Sequence, residues 1–444
     1  MKLRHSAIAF VVALAALFPK PAAAQSFNLR DLLTDFLREG ITLAPPATGF
    51  SHSAHFIGED SPQFRALQGF NTELGNQLSS FPLASSAGGF TYNFDSSLGV
   101  FTRAAESFGP IYAERSDTIG KGRMNVGVNY SHFTFDHIDG LTLRDGQAKL
   151  VFTHQDTNGD HGNLQFPFEG DVITSNLFLK VDTDITAFVL TYGISDRVDV
   201  GLAVPVLRVN VDAQTDATIR RLATGGNSPI HTFTNGGTTE SFRQSGSASG
   251  VGDVVLRGKF RLLQGGRGGL ALAADVRLPT GEERDLLGTG STQVRGFVIA
   301  SLHAGPFSPH LNAGYAWSSN ASGGRKVPDE ISYTGGFDWA LGPRLTFAVD
   351  ALGRTFRKAQ VVRVVDTTFQ FNTNPDFNGT PVIKTATFSR LISENRDSTS
   401  LLGSAGFKIN PVGNLLITVN GLFSLNQKGL QDRFAPLIAF DYSF

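Results

Sequence analysis

The chain closes on Arg433-Phe434-Ala435-Pro436-Leu437-Ile438-Ala439-Phe440-Asp441-Tyr442-Ser443-Phe444, and the alternation in this stretch decides the fold. Phe434, Pro436, Ile438, Phe440, Tyr442 and Phe444 share one parity; Arg433, Ala435, Leu437, Ala439, Asp441 and Ser443 share the other. A β-strand turns successive side chains to opposite faces, so one face is apolar and aromatic while the other is small or charged. Such a strand suits a wall between lipid and a watery lumen. It also suits a half-buried edge strand of a soluble sandwich, and the rest of the chain has to choose.

The opposite end sets the compartment. Lys2, Arg4 and His5 form a basic head, Ala7 to Phe18 is an unbroken apolar run, and Pro19, Pro21 and Ala22-Ala23-Ala24 follow. A charged head, a short apolar core and an A-x-A site predict a signal peptide over residues 1–24, cleaved after Ala24. The run is too short for a spanning helix, which needs about 20 residues, and no later apolar stretch approaches that length. An exported chain without spanning helices, ending in an alternating strand, is expected in the outer membrane of a bacterial cell, where hydropathy misses strands because only alternate residues meet lipid. Its end also resembles the C-terminal signature of outer-membrane barrels. The resemblance implies that Phe440, Tyr442 and Phe444 are an assembly signal, with the barrel assembly machinery and outer-membrane lipid as partners.

Cysteine is absent, so an exported chain of this size cannot be stapled by disulfides. The fold must rest on backbone hydrogen bonding, which a closed sheet supplies in full. A net charge of -1 offers no electrostatic footprint for nucleic acid.

Turns confirm the direction of the reading. From Gly122 onward, short connections (Ile194–Arg197, Gln264–Gly269, Gly305–Phe307, Leu341–Arg344, Asn410–Asn414) interleave strictly with mostly longer polar ones. The second set is Gly140–Gly170, Arg221–Ser249, Glu282–Ser291, Asn320–Pro328, Ala359–Asn395 and the short Gln427–Asp432. Tight periplasmic turns and long extracellular loops are the habit of outer-membrane barrels, and a soluble sandwich has no reason to follow it. The segments between alternate as the last strand does: Leu415, Ile417, Val419, Phe423 and Leu425 oppose Thr418, Asn420, Ser424 and Asn426. Trp317, Trp339, Tyr315 and Tyr333 supply interfacial rings. The expectation is an all-β chain: a transmembrane antiparallel β-barrel of about 12–14 strands over residues 89–444. About twelve strands follow Gly122, and Gly89–Thr118 offers one further hairpin. Around Pro205 the apolar parity switches, from Val200, Leu202 and Val204 to Leu207, Val209 and Val211, which predicts a bulge.

Residues 25–88 read differently. Phe27, Leu29, Leu32, Leu33, Phe36 and Leu37 recur at helical spacing and predict a short helix ending near Gly40. After Pro45-Pro46 comes a Gly/Ser/Phe-rich stretch with little periodicity. This segment is expected to plug the lumen or to stand as a helical periplasmic segment.

Three passages carry a family resemblance. They are Tyr192-Gly193-Ile194-Ser195-Asp196-Arg197-Val198-Asp199-Val200-Gly201-Leu202-Ala203-Val204-Pro205, Gly250-Val251-Gly252-Asp253-Val254-Val255-Leu256-Arg257-Gly258-Lys259, and Arg277-Leu278-Pro279-Thr280-Gly281 with Leu287-Gly288-Thr289-Gly290-Ser291. In this order they resemble the outer-membrane transporters named for the MetA pathway of phenol degradation, themselves distantly similar to long-chain fatty-acid channels with an N-terminal plug. The resemblance implies passive passage of small, hydrophobic or aromatic solutes. A structural or surface-exposed barrel whose long loops bind a partner is the alternative.

Enzyme motifs are missing: no G-x-S-x-G elbow, H-E-x-x-H or Walker loop occurs, and neither an enzymatic activity nor a cofactor or metal is expected. His52 and His55 sit in the Ser/His stretch Ser51–His55, outside the expected barrel, and are expected to be hydrated rather than to bind metal. Asp156-Thr157-Asn158-Gly159-Asp160 begins like a calcium loop, but His161 stands where that loop needs Gly and no acid closes it. Parity places charge inward instead, on Asp253, Arg257, Lys259, Arg261, Asp275, Arg277, Arg295, Asp338, Asp350 and Arg354, with Lys408 and Asp441 beyond them. On the lipid face an Arg or Lys would cost about 2–4 kcal/mol near the midplane. These residues are the expected lumen lining, either cross-linking the wall or biasing which solutes pass.

Overall fold

The computed structural model describes residues 28–37, 41–45, 56, 62–78, 82, 84–85, 89–95, 100–153, 170–222, 231–265, 267–374 and 380–444. The predicted signal peptide, His52, His55 and the Asp156–His161 loop lie outside them. Twelve strands form the wall. They are β1 (Met124–Phe135), β2 (Asp171–Ser195), β3 (Val198–Arg221), β4 (Val255–Gly265), β5 (Gly268–Arg277), β6 (Gln293–Leu302), β7 (Phe307–Ser318), β8 (Asp329–Gly342), β9 (Leu345–Asn372), β10 (Ile383–Ile409), β11 (Leu415–Ser424) and β12 (Phe434–Ser443). Each pairs antiparallel with the next, and β12 returns to β1 from Leu437↔Ser131 to Ser443↔Asn125. The ring is closed, so the bilayer meets no unpaired strand edge.

The hairpin near residue 100 does not join the wall. Tyr92–Asp95 and Val100–Arg103 pair only with each other. Four residues per strand cannot cross a hydrocarbon layer that takes about 9–11 tilted residues, and the strand number is twelve.

Outward parity is apolar through the wall. Val294, Val298 and Leu302 on β6, Leu311 and Tyr315 on β7, and Ile438, Phe440, Tyr442 and Phe444 at the chain end are all exposed. Trp317, Tyr315 and Tyr333 ring the long-loop end, while Trp339, Tyr192 and Tyr442 ring the short-turn end. A continuous apolar belt between two aromatic girdles is the surface of an outer-membrane barrel.

Four wall strands are far longer than a membrane requires: β2, β3, β9 and β10 run 25, 24, 28 and 27 residues, against 10–14 for the rest. They continue outside the bilayer as a tower, widened by Ala148–Phe152 on β2 and Thr239–Val251 on β3. Much of what polar composition suggests to be loop at Arg221–Ser249 and Ala359–Asn395 is therefore sheet. Pro205 holds no bulge on the β2 side, where Ala187↔Pro205 sits in an unbroken register. There β3 changes its other neighbour, from β4 below to Thr239–Val251 above. Odd residues point inward along its whole length. The apolar parity swaps because the surroundings do: Val200, Leu202 and Val204 face lipid, whereas Leu207, Val209 and Val211 face a buried interior.

That interior is the N-terminal segment. Leu32–Asp35 forms α1, and Pro62–Leu78 forms a longer helix, α2, at which no periodicity had pointed. The reason is burial on almost every side: among residues 63–78 only Arg65, Gln68 and Thr72 reach solvent to any extent, so no amphipathic stripe is written into it. Leu32, Leu33 and Phe36 pack with Phe64, Leu67 and Phe70, and with Leu207, Val209 and Phe233 of the tower, in one cluster. Gly69 meets the β9–β10 hairpin where an added Cβ would come within 2.1 Å of Ser393 Oγ, a close approach that requires glycine.

Candidate functional site in the barrel lumen

The lower lumen, at the short-turn end, holds the other part of that segment. Residues 107–120 are buried throughout without regular structure, so their backbone must find partners on the wall. It finds them on inward side chains. The Phe108 N–H donates to Thr346 Oγ1 (2.9 Å), and those of Ile111 and Tyr112 donate to Asp350 Oδ2 (3.1 and 2.9 Å). Glu114 N–H reaches Asn312 Oδ1 (2.6 Å), Ser116 N–H reaches Ser301 Oγ (2.8 Å), and Ile119 N–H reaches Asp199 Oδ2 (3.1 Å). These partners lie on β9, β7, β6 and β3, so the segment crosses the lumen.

Charged side chains complete the lattice. Arg257 donates from Nε and Nη2 to Asp275 (2.6 and 2.8 Å) and from Nη1 to Glu114. Arg295 Nε donates to the same Asp275 (3.1 Å). Lys259 Nζ donates to the Asp117 carbonyl (2.7 Å) and lies 3.4 Å from Asp199. Asp338 pairs with Arg115 and accepts from Ser107. His310 stands between Asp350 (Nε2, 2.6 Å) and Asp338 (Nδ1, 3.4 Å). Arg354 grips Glu330 through Nε (3.0 Å) and Nη2 (2.5 Å). Arg261 donates to the Asp196 carbonyl, Lys408 Nζ to that of Phe108 (3.3 Å), and Asp441 accepts from Asn125 Nδ2 (3.4 Å). Each planar Arg–carboxylate fork is the strong, directional form of ion pair.

Asp253 has a different place. It precedes β4, and its carboxylate accepts from Gly281 N–H (3.1 Å), Thr289 N–H (2.8 Å) and Thr289 Oγ1 (2.8 Å). It thereby pins the extracellular connection between β5 and β6. Glu114, Arg115, Asp117, His303, His310 and Glu330 belong to the network without having been singled out. The three on the lumenal segment carry no signal, because their meaning depends on what they face. His310 and Glu330 could have been found by extending strand parity to every polar residue.

Between the lattice and the tower lies a cavity of about 110 Å3. Arg257, Arg277, Arg295 and Arg354 line it with Glu114, Asp275 and Glu330, and Phe297, Leu352, Tyr112 and Pro82 add apolar surface. Among the described residues no group of three or more His, Asp or Glu side chains could hold a metal ion.

Several solved structures resemble the chain. The COG4313 outer membrane channel from Pseudomonas putida F1 is 13% identical, with a TM-score of 0.40, over 74% of this chain and 97% of that one. A Pseudomonas aeruginosa FadL homologue is 10% identical, with a TM-score of 0.31, over 73% and 90%. The CymD monoaromatic hydrocarbon channel is 10% identical, with a TM-score of 0.24, over 73% and 89%. No curated protein matches the chain. Residues 153–380, about half of the chain, match the family described as "Putative MetA-pathway of phenol degradation", and the protein belongs to that family.

Proposed function

We propose that this outer-membrane barrel passes small hydrophobic or aromatic molecules passively, with residues 25–88 and the lumenal segment that follows acting as its plug. The observation that supports this most directly is how residues 104–121 are held. The lower lumen is crossed by the chain's own backbone, tied to the wall by hydrogen bonds and ion pairs that water can replace, beside a cavity with both apolar and cationic lining. A wall built only for rigidity could fill that space with packed side chains. The family's name and the monoaromatic hydrocarbon channel among the similar structures agree in substrate class. The charged residues act as lining and as anchors for the plug. At the chain end, Phe440, Tyr442 and Phe444 serve as the label read by the barrel assembly machinery.

Bilayer conductance and liposome uptake of a neutral aromatic test the reading. Asp350→Ala removes the acceptor of two plug N–H groups and is expected to raise conductance several-fold while the barrel keeps its heat-modifiable migration on gels. A folded wild type and a folded Asp350→Ala variant that both pass nothing would leave the alternative, a tower that binds a partner. Deleting Phe444 is expected to lower the amount of assembled barrel in cells and to leave flux per barrel unchanged.

A further inference from the structure

Two extracellular connections cover the lumen on the side away from the long strands: residues 278–292 between β5 and β6, and residues 319–328 between β7 and β8. The cavity reaches up to them, because Arg277, Gln293, Ala316 and Glu330, at the outer ends of these strands, belong to its lining. The first connection is a loop with a fixed neck. Asp253 accepts from Gly281 N–H (3.1 Å) and from Thr289 N–H (2.8 Å), so one carboxylate holds both ends of residues 281–289. Compact loops whose ends are held together often carry function. At the tip, Glu283–Asp285 makes one turn of 3-10 helix that Leu286 ends at φ 60°, a left-handed backbone uncommon outside glycine. Leu286 and Leu287 are buried in the same apolar cluster as the N-terminal helices.

One carboxylate fastens that tip. Glu283 pairs with Arg30, just before α1, and accepts from Arg325 of the second connection through Nε (3.3 Å) and Nη2 (3.1 Å). Arg325 also donates from Nη1 to Asn76 Oδ1 of α2 (2.6 Å) and from Nη2 to the Thr289 carbonyl (2.6 Å). The Arg30 N–H donates to the Arg284 carbonyl (3.0 Å). Glu283 therefore joins three segments that are distant in sequence: the N-terminal helices and both connections. Neck and tip differ in what they hold. Asp253 ties the loop to its own wall, whereas Glu283 ties the wall to the helices that fill the mouth. Polar partners at such a clasp exchange with water at a small net cost. Releasing it frees the tip and its two leucines while the neck keeps its hydrogen bonds.

We propose that residues 281–289 form a lid over the outer end of the lumen cavity, hinged at Asp253 and latched to the N-terminal helices by Glu283. The proposal rests on the passage reading, whose entry step it deepens, and it is tested by access to the cavity rather than by flux. The chain has no cysteine, so Ala316→Cys puts a single thiol into the cavity lining. Its rate of modification by a small water-soluble methanethiosulfonate, in the full-length protein in detergent, is the measurement. Glu283→Ala in that background is expected to shift the lid toward open and raise the rate about five-fold or more, with heat-modifiable migration on gels retained. Arg325→Gln, which cuts the clasp from its other side, is expected to act in the same direction. Lys326→Ala, an exposed neighbour outside the clasp, is expected to leave the rate unchanged. Folded Glu283→Ala and Arg325→Gln proteins whose thiol reacts no faster would overturn the proposal, as would an equal rise with Lys326→Ala. Flux separates the two readings: faster modification without any solute passage keeps the lid and loses the passage, and passage raised by Asp350→Ala with a thiol indifferent to Glu283 does the reverse.

Discussion

Within the β2–β3 hairpin two different environments share one alternation. Below the Thr186↔Val206 pair the outward residues are Phe188, Leu190, Tyr192, Val200, Leu202 and Val204; above it they are Lys180, Asp182, Asp184, Arg208, Asn210 and Asp212. Inward residues invert the pattern, with Thr191 and Asp199 below and Leu179, Val181, Val209 and Val211 above. The lower half is a membrane wall around a polar lattice. The upper half is an ordinary folded domain, wet outside and apolar inside. One continuous pair of strands carries both, and the boundary is where the bilayer ends.

Different forces hold the two halves. In the lower half, Asp338→Ala leaves the Arg115 guanidinium buried without its partner, which costs about 3–5 kcal/mol. Denaturant unfolding in micelles should show that loss, and Asp338→Ala/Arg115→Ala should recover part of it. In the upper half, Leu67→Ala removes apolar packing from the helix core, at about 2–5 kcal/mol, and no charge removal should rescue it. If the Leu67 loss were recovered by neutralising lumen charges, the division into two interiors would be wrong.

The outward faces give the sharper contrast. Leu190→Arg places a cation toward lipid at a cost of about 2–4 kcal/mol, and assembled barrel in membranes should fall. Lys180→Leu, on the same face ten positions earlier, should stay within about 0.5 kcal/mol of the wild type. Equal damage from both would place the bilayer boundary elsewhere on β2.

The smallest effect is a dependence on pH. Burial, and then the Asp139 carboxylate, push the Glu73 carboxyl of α2 up to about 8, against the opposing Gln77 hydrogen bond. The docked helix thus keeps a proton that the released carboxyl, near 4.5, gives up. Its docking is strongest below about 4.5 and weakens as pH rises through about 8. Cleavage at Arg65 by trypsin should speed up between about pH 5 and 8 relative to the intrinsic rate and level off above about 8, and Glu73→Gln should flatten the curve.

Legibility followed the same boundary. Where lipid is on one side, period-2 alternation names the face of each residue, and Arg257, Lys259, Asp275 and Asp338 could be turned inward from sequence. In the tower the alternation survives but its polarity inverts, which at Pro205 resembles a bulge. In α2 it vanishes, because a helix surrounded by protein has no polar face to mark it. The lattice partners on residues 104–121 were invisible for another reason: an extended segment inside a lumen obeys no period, and its contacts join positions up to 300 residues apart, as between Phe108 and Lys408.

From its sequence alone this protein is an antiparallel barrel of known direction, because lipid, water and the tight turns act on each strand locally and leave a two-residue rhythm behind. Only the tertiary structure decides that the strands number twelve, that four of them rise as a tower around the N-terminal helices, and that arginines from β4, β5, β6 and β9 meet in one cavity. Those outcomes depend on ring closure and on which strands become neighbours, and no local rhythm encodes either.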